Sequence, residues 1–329
     1  MLRKLSIILT SLLFIFPFSA TTTHAANFTP SEANQIKQLQ QEYAALDKTP
    51  FNEDNLYVTK PQLNRKFKEG VLTPTYLSDQ LAYINYYRGL FGLTPIAEAK
   101  QDSIDAQKTA AVLATLNANP LINQHNLPYE KRPRNVSKAI WQIARSTSNS
   151  ANLNFNTHDQ TAGDVITDLI TDRYNLSGPD TGHRAWLLST RLTTTGIGAA
   201  YGKNGYRYSV QKVLNSADVF RKPSQQQVTY PSSGVFPLEL VQGQNIAWSF
   251  YSSDQVIKEI PQITITDEDT QTTYQAQEVH NYHNSGYGNF TTIITYSPGA
   301  TPLVNGHEYR VDIAGILSYH FKLFRLGSN

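Results

Sequence analysis

The 329-residue sequence contains no cysteine. Disulfide bonds, thiol redox chemistry and cysteine-ligated metals are therefore excluded. Small exported domains often depend on disulfides, whereas a chain of this length can fold on its hydrophobic core alone. The length is that of a protein with two domains.

An excess of charge of one sign is also lacking. The sequence has 28 basic and 26 acidic residues, a formal net charge of +2. Proteins that are steered to nucleic acid or to an anionic membrane usually carry a clear excess of positive charge. We therefore expect no nucleic-acid partner.

Apolar runs long enough to span a membrane are missing as well. The stretch from Leu5 to about Phe18 is apolar over about 14 residues, and a span needs roughly 20. It follows the basic pair Arg3 and Lys4 and leads into small residues, the pattern of a cleaved signal peptide. We predict a signal peptide at residues 1–25 and a secreted protein with no membrane span after cleavage. An exported chain without cysteine favours a bacterial source of the Gram-positive type.

The remaining sequence divides into four segments by its hydrophobic pattern. Residues 26–74 are polar and helix-prone, which predicts an N-terminal helical arm. Residues 75–220 contain the amphipathic helices of a first domain. Residues 221–234 are rich in Pro, Ser and Gln and predict a linker. Residues 235–329 alternate between apolar and polar side chains, as strands do.

The first domain combines helices with a β-hairpin. Apolar residues recur every three or four positions after Thr75, which predicts a helix with Ser78 as its N-cap and Gly92 as its stop. A second helix, from about Ala97 to Leu116, is predicted to bury Ile104. Two more helices follow, and then two strand-like runs joined by a turn with an Asn-Gly pair. This order predicts an α+β fold.

Three motifs follow one another in this domain. Arg88 to Ile96 read Arg-Gly-Leu-Phe-Gly-Leu-Thr-Pro-Ile, His125 follows Asn-Gln, and a Gly-His-Arg segment at His183 leads into a Gly-Ile-Gly strand ending at Gly198. In order and spacing they resemble the CAP superfamily, the SCP-like and PR-1-like domains related to the CRISP proteins, in its secreted bacterial form. The resemblance covers about residues 75–215.

The resemblance implies an α-β-α sandwich with a central cleft. The segment after the linker resembles the all-β, immunoglobulin-like sandwich that follows such domains in some bacterial proteins. The expected fold class is therefore α+β, a CAP-like α-β-α sandwich followed by a β-sandwich.

The resemblance also implies the residues of the cleft. His125 and His183 are expected to face it, with Asn126 and Asn152 beside them. Typical members hold a divalent metal such as zinc with two histidines and two acidic residues. This sequence has Ala151 where the family usually has a glutamate, so a bound metal would need another carboxylate, from Glu130 or Asp180. Metal binding and a purely structural role for the two histidines remain open alternatives.

Other polar residues are expected to be structural. Arg184 and Trp186 are predicted to hold the fold together, and His158 with Asp159 to form a polar loop. The pair His280 and His283 lacks a third metal ligand.

The sequence lacks the motifs of common hydrolases and phosphate-binding enzymes. The interpretation is a secreted, non-catalytic binding protein whose cleft takes an apolar, peptide or cell-wall-derived ligand. One alternative is a metal-dependent extracellular hydrolase that uses His125 and His183. Another is a cell-surface adhesion or structural module. No cofactor other than the divalent metal is indicated.

Overall fold

The computed structural model describes residues 28–327, so the predicted signal peptide at residues 1–25 lies outside the described residues. No helix in the described part is both long and apolar enough to cross a membrane. The helices of residues 28–327 are α1 Pro30–Ala45, α2 Pro74–Leu90, α3 Lys100–Leu116, α4 Lys138–Asn149, α5 Ala162–Thr171, α6 Gly182–Leu187 and α7 Ser216–Val219, with 3-10 turns at Leu238–Leu240 and Tyr287–Asn289.

The strands of the described residues fall into four sheets. Their bounds are β1 Tyr57–Thr59, β2 Val71–Leu72, β3 Ala97–Glu98, β4 Ala151–Asn156, β5 Thr194–Tyr201, β6 Arg207–Lys212, β7 Gln227–Tyr230, β8 Gly234–Pro237, β9 Trp248–Ser252, β10 Ile263–Asp267, β11 Thr272–Gln275, β12 Gln277–Asn281, β13 Thr292–Ser297, β14 Glu308–Ile313 and β15 Leu317–Phe324.

Residues 74–213 form three layers, which we call the three-layer part. Its sheet has the strand order β3-β5-β6-β4, with β3 parallel to β5 and the other pairs antiparallel. Helices α3 and α4 cover one face of the sheet, and α2 and α5 lie on the other side. The predicted hairpin is confirmed as β5 and β6. The expected α-β-α arrangement is therefore present.

Side chains along β5 alternate between the two faces of the sheet, and this alternation explains how tightly α3 packs against the strand. Ile197 and Ala199 point toward the α2 side, while Gly196 and Gly198 point toward α3. A Cβ atom on Gly198 would overlap the backbone carbonyl of Ala106 in α3. The two glycines therefore let a helix lie directly against the strand.

We expect Gly198→Ala to lower the free energy of unfolding by about 3 kcal/mol, because an extra methyl group must push α3 away from the sheet. Urea denaturation measures the change. The matched control is Gly89→Ala in α2, where an added Cβ meets no atom within 4 Å. That variant should gain about 1 kcal/mol from helix propensity. Equal stability of the two variants would contradict the packing argument.

Two details of the helices differ from the sequence prediction. Helix α2 begins at Pro74, with Thr73 as its N-cap, and Ser78 lies inside it with its hydroxyl bonded to the carbonyl of Thr75. A proline at the first helical position is a start signal that outweighs a later serine. Ile104 is 38% exposed, so its prediction as a core residue was wrong.

Residues 227–324 form an immunoglobulin-like sandwich of two sheets, which we call the sandwich. One sheet has the order β11-β10-β14-β15-β8 and the other β12-β13-β9-β7. The side chains on the inner faces of the two sheets are buried. Among them, Trp248 packs edge-on against Tyr296 and Phe321. The expected all-β sandwich is therefore present.

The sandwich and the three-layer part share one hydrophobic core. A single cluster of buried side chains continues from α2 and α5 through Phe91, Tyr230 and Phe236 into the sandwich. Four of the 14 residues of the segment 221–234, which the sequence predicts as a linker, form strand β7, and two of them, Val228 and Tyr230, lie in this core. The predicted domain boundaries themselves stay predictions.

The predicted N-terminal arm packs on both parts. Helix α1 begins with a capping box formed by Thr29 and Glu32. Its Tyr43 contacts the rings of Tyr83 and Tyr86 in α2. Residue Gln40 donates a hydrogen bond to the carbonyl that follows β15.

Candidate functional site

His125 lies in the loop between α3 and α4. Its Nδ1 is 2.8 Å from the carbonyl oxygen of Ser148 at the end of α4. A carbonyl can only accept, so Nδ1 carries the proton and Nε2 keeps its lone pair. Burial lowers the pKa of His125, the bond to Ser148 opposes this in part, and the charge of His183 lowers the pKa further. His125 is therefore neutral near pH 7.

His183 is held by a carboxylate. It lies at the start of the short helix α6, and its Nδ1 is 2.7 Å from Oδ1 of Asp172. Burial lowers the pKa of His183, but the charge and hydrogen bond of Asp172, with the charge of Asp180, more than offset it. The pKa of His183 is therefore raised, and Nε2 is the nitrogen that remains for a ligand.

Asp172 reaches His183 because the end of α5 turns sharply. Asp172 is the C-cap residue of α5 and has a left-handed backbone with φ of 56°. Its second carboxylate oxygen accepts the backbone N–H of Arg184. The side chain is only 2% exposed. These bonds fix the orientation of the His183 ring relative to α6.

Asp180 is a second carboxylate of this region, beside Asp172. Its carboxylate accepts hydrogen bonds from the side chain of Asn175 and the backbone of Gly182. Burial and the neighbouring charge of Asp172 raise the pKa of Asp180. Its charge acts on the pKa of both His125 and His183. The three groups therefore lie in one electrostatic neighbourhood, although they are up to 58 positions apart in the chain.

The sandwich supplies one wall of this region. The 3-10 turn Tyr287–Asn289 contacts α6, with Gly288 so close to Ala185 that a side chain there would overlap its carbonyl. The phenol of Tyr287 interacts with the carboxylate of Asp180, which raises the pKa of that tyrosine after burial. Neither contact could be read from the sequence motifs.

Residues 81–213 match the family model described as CAP, the cysteine-rich secretory protein family. These residues form a CAP domain. A search of curated proteins finds no match to the chain. The family takes its description from cysteine-rich secreted proteins, and this chain reaches the fold without a single cysteine. CAP domains are typically extracellular.

The CAP domain places the other predicted site residues differently. Asn152 is buried on β4 and donates its side-chain N–H to the carbonyl of His183, so it positions α6. Asn126 is exposed, and its backbone N–H and carbonyl bond to Ser148 and Arg145. These roles are structural support for the two histidines.

Of the two candidate carboxylates, Asp180 lies beside the histidines and Glu130 does not. Glu130 contacts Gln124, and its charge acts on Tyr208. Ala151 is buried at the start of β4 within the core under α3 and α4. The family's glutamate position therefore supplies a methyl group to the core of this CAP domain.

The donor atoms of His125, His183 and Asp180 do not fit one metal ion as they stand. A closed zinc site takes about four ligands and an open one about three. Within residues 28–327, the ligand atoms of His125, His183 and a carboxylate do not all lie within 4.8 Å of one another. We therefore derive no catalytic step through a metal.

A second group of metal-type ligands lies in the sandwich, where Asp267, Asp269 and His307 come within 4.8 Å of one another. The carboxylate of Asp267 already accepts the backbone N–H groups of Asp269 and Thr270 and the ring N–H of His307. These bonds stabilise the turn between β10 and β11. His280 and His283 are not part of such a group among the described residues.

Arg184 of the Gly-His-Arg motif holds the CAP domain to the sandwich. It is fully buried and donates to the carbonyls of Ile170, Thr171 and Ala247. Its guanidinium lies 3.7 Å from the centre of the Tyr230 ring. The predicted fold-holding role of Arg184 therefore has a geometric basis. Trp186 is half-buried against the same core.

Proposed function

We propose that the protein is an extracellular binding protein whose CAP cleft takes a hydrogen-bonding ligand, a peptide or a fragment of cell wall. One observation carries the proposal: both imidazoles are anchored through Nδ1, so that both Nε2 atoms are left for a ligand. Nε2 of neutral His125 is a hydrogen-bond acceptor, and His183, with its raised pKa, is a donor.

The polarity of the cleft favours this ligand class over a lipid. Beside the two rings lie the carboxyl group of Asp180 and the phenol of Tyr287. A lipid chain would leave the Nε2 atoms of both rings without partners, which costs free energy for each buried polar group. Sugars and peptides present alternating donors and acceptors that satisfy them.

The same region gives less support to a metal-dependent hydrolase. That activity needs a third metal ligand and a metal-bound water. The position at which the family usually has a glutamate is occupied by Ala151 in this chain. The family match and the predicted signal peptide support an extracellular location. The adhesion alternative would place the binding surface on the sandwich instead of the cleft.

The test uses a soluble disaccharide–tetrapeptide fragment of peptidoglycan as the probe. We expect it to shift the imidazole NMR signals of His125 and His183 in the full chain. His125→Trp, which fills the cleft, should weaken the affinity by about tenfold or more, because the hydrogen bond to Nε2 is lost and the larger indole takes the place of the ligand, together about 1.4 kcal/mol or more.

His158→Trp is the matched control, because His158 lies in an exposed loop. It should bind the fragment like the wild type. Wild-type affinity in His125→Trp would refute the cleft as the binding site. Binding of oleate vesicles, but not of the fragment, would support the lipid alternative instead.

A further inference from the structure

A cavity of about 620 Å³ lies at the junction of the CAP domain and the sandwich. Its volume is within the usual range of small-molecule sites, which form preferentially between domains. Residues 172–179 line it from the CAP side, and residues 241–247, 278 and 297–303 line it from the sandwich. The residues His125, His183 and Asp180 are not among those that line it, so it is separate from the histidine cleft.

The cavity contains an arginine with unused donors. The Nε atom of Arg173 donates to the hydroxyl of Thr171. Its two Nη groups have no hydrogen-bond acceptor among the described residues, although the side chain is half-buried. Nη1 reaches the turn at Gly243, where a Cβ atom would be 3.8 Å away. An arginine fork with two open Nη groups matches a carboxylate.

The sandwich side presents the opposite charge. Glu278 of β12 lines the cavity, is exposed and makes no hydrogen bond or ion pair within residues 28–327. The other carboxylate of the lining, Asp172, is already bonded to His183 and to the backbone of Arg184. One positive and one negative group therefore remain to meet a ligand, on two different walls.

Neutral polar groups complete the lining. Gln242 and Asn245 line the cavity, with apolar contact from Ile246; Asn175 also lines it, but its amide is already bonded to Asp180 and to the backbone of Ser177. Amide side chains both donate and accept hydrogen bonds, as peptide groups do.

We propose that this cavity is a second ligand site, which takes a short peptide with free ends, its carboxylate on Arg173 and its ammonium group on Glu278. The two charges of the cavity would recognise the two ends of the ligand. The site goes beyond the cleft proposed above, because it uses none of the cleft's ligand-facing atoms.

Calorimetric titration of the full chain with three probes tests the site. The probes are trialanine, trialanine amide, which lacks the carboxylate, and N-acetyl-trialanine, which lacks the ammonium group. We expect trialanine to bind about tenfold more tightly than either blocked form, since each loses one charge-assisted pair.

Two variants assign each end of the peptide. Arg173→Gln should abolish the preference for trialanine over its amide and leave the preference over the acetylated form. Glu278→Gln should do the reverse. The control Lys222→Gln removes a positive charge at an exposed position outside the cavity and should change neither preference. The space-filling variant Gln242→Trp should weaken all three probes.

The outcomes separate this site from the histidine cleft. If His125→Trp weakens trialanine as much as Arg173→Gln does, the peptide occupies the cleft and the second site is refuted. No binding of trialanine to the wild type, or a preference for trialanine over its amide that Arg173→Gln leaves unchanged, also overturns the proposal. If glucuronic acid binds through Arg173 and trialanine does not, the ligand is an acidic sugar and the peptide assignment is wrong.

Discussion

Replacing Arg184 with methionine is expected to lower the free energy of unfolding by about 5 kcal/mol, because three buried carbonyl groups would lose their donor. The carbonyls belong to Ile170, Thr171 and Ala247, at distances of 2.6 to 2.7 Å from the guanidinium. Methionine keeps much of the apolar stem but offers no N–H. The loss of the contact with the Tyr230 ring adds to the effect.

Denaturant unfolding followed by fluorescence measures the effect of this substitution. Arg134→Met is the matched control, since Arg134 is exposed and makes no hydrogen bond within the described chain. Arg184→Lys should fall between the two, because an ammonium group keeps the charge but cannot span three carbonyls in the plane of a guanidinium. If Arg184→Met unfolds at the same denaturant midpoint as Arg134→Met, the guanidinium does not join the two parts of the molecule.

The second large effect is expected from Asp172→Asn. Asparagine tolerates the left-handed backbone at this position, so the turn after α5 is kept. The negative charge beside His183 is lost, and the pKa of His183 should fall below its value in the wild type. The pKa of His125 is shifted in the opposite direction, because burial lowers it, and His125 keeps its partner Ser148 in both proteins.

The loss of stability caused by Asp172→Asn is expected to be larger at low pH than at high pH. A raised folded pKa means that His183 stabilises the fold fully below its ordinary pKa, and that this contribution is lost as pH rises through the raised pKa. We expect Asp172→Asn to cost about 3 kcal/mol near pH 6, as for a broken buried pair. At a pH above the raised pKa of His183, where the ring is neutral and only a hydrogen bond is lost, the cost should be about 1.5 kcal/mol.

Urea titrations at the two pH values, with NMR titration of the His183 ring, measure both effects. Asp159→Asn, in an exposed loop, is the control and should show no pH-dependent difference. Asp180 also faces His183, and its own raised pKa affects stability mainly at more acid pH. A cost that grows toward alkaline pH would show that Asp172 does not hold a protonated His183.

The layers of the fold follow from local sequence patterns. Apolar spacing predicts α2 and α5, and the Asn-Gly pair predicts the hairpin, because these signals act within a few residues. The exposure of Ile104 could not be predicted in this way. Its helix buries mostly alanine against Gly196 and Gly198, and only the assembled packing decides which apolar side chain is left outside.

Only the site residues that lie within sequence motifs could be predicted. His125 and His183 stand in recognisable segments, and the pKa effect of one on the other supports their proximity. Asp172 lies outside any motif, and its role depends on a left-handed turn that brings its carboxylate back to α6. Tyr287 and the cavity at Arg173 arise where two parts of the chain meet that are more than 60 positions apart in sequence.

The shared core has a consequence for how such a protein can change over time. A sandwich exchanged for another one would have to bring a carbonyl at the position of Ala247, an aromatic ring like that of Tyr230 and a side-chain-free contact like that of Gly288. Without them the guanidinium of Arg184 would keep its bonds to Ile170 and Thr171, but its Nη1 group would be a buried donor without an acceptor, which costs stability. Variation in the sandwich is therefore constrained by the contacts that Arg184 and α6 make with it.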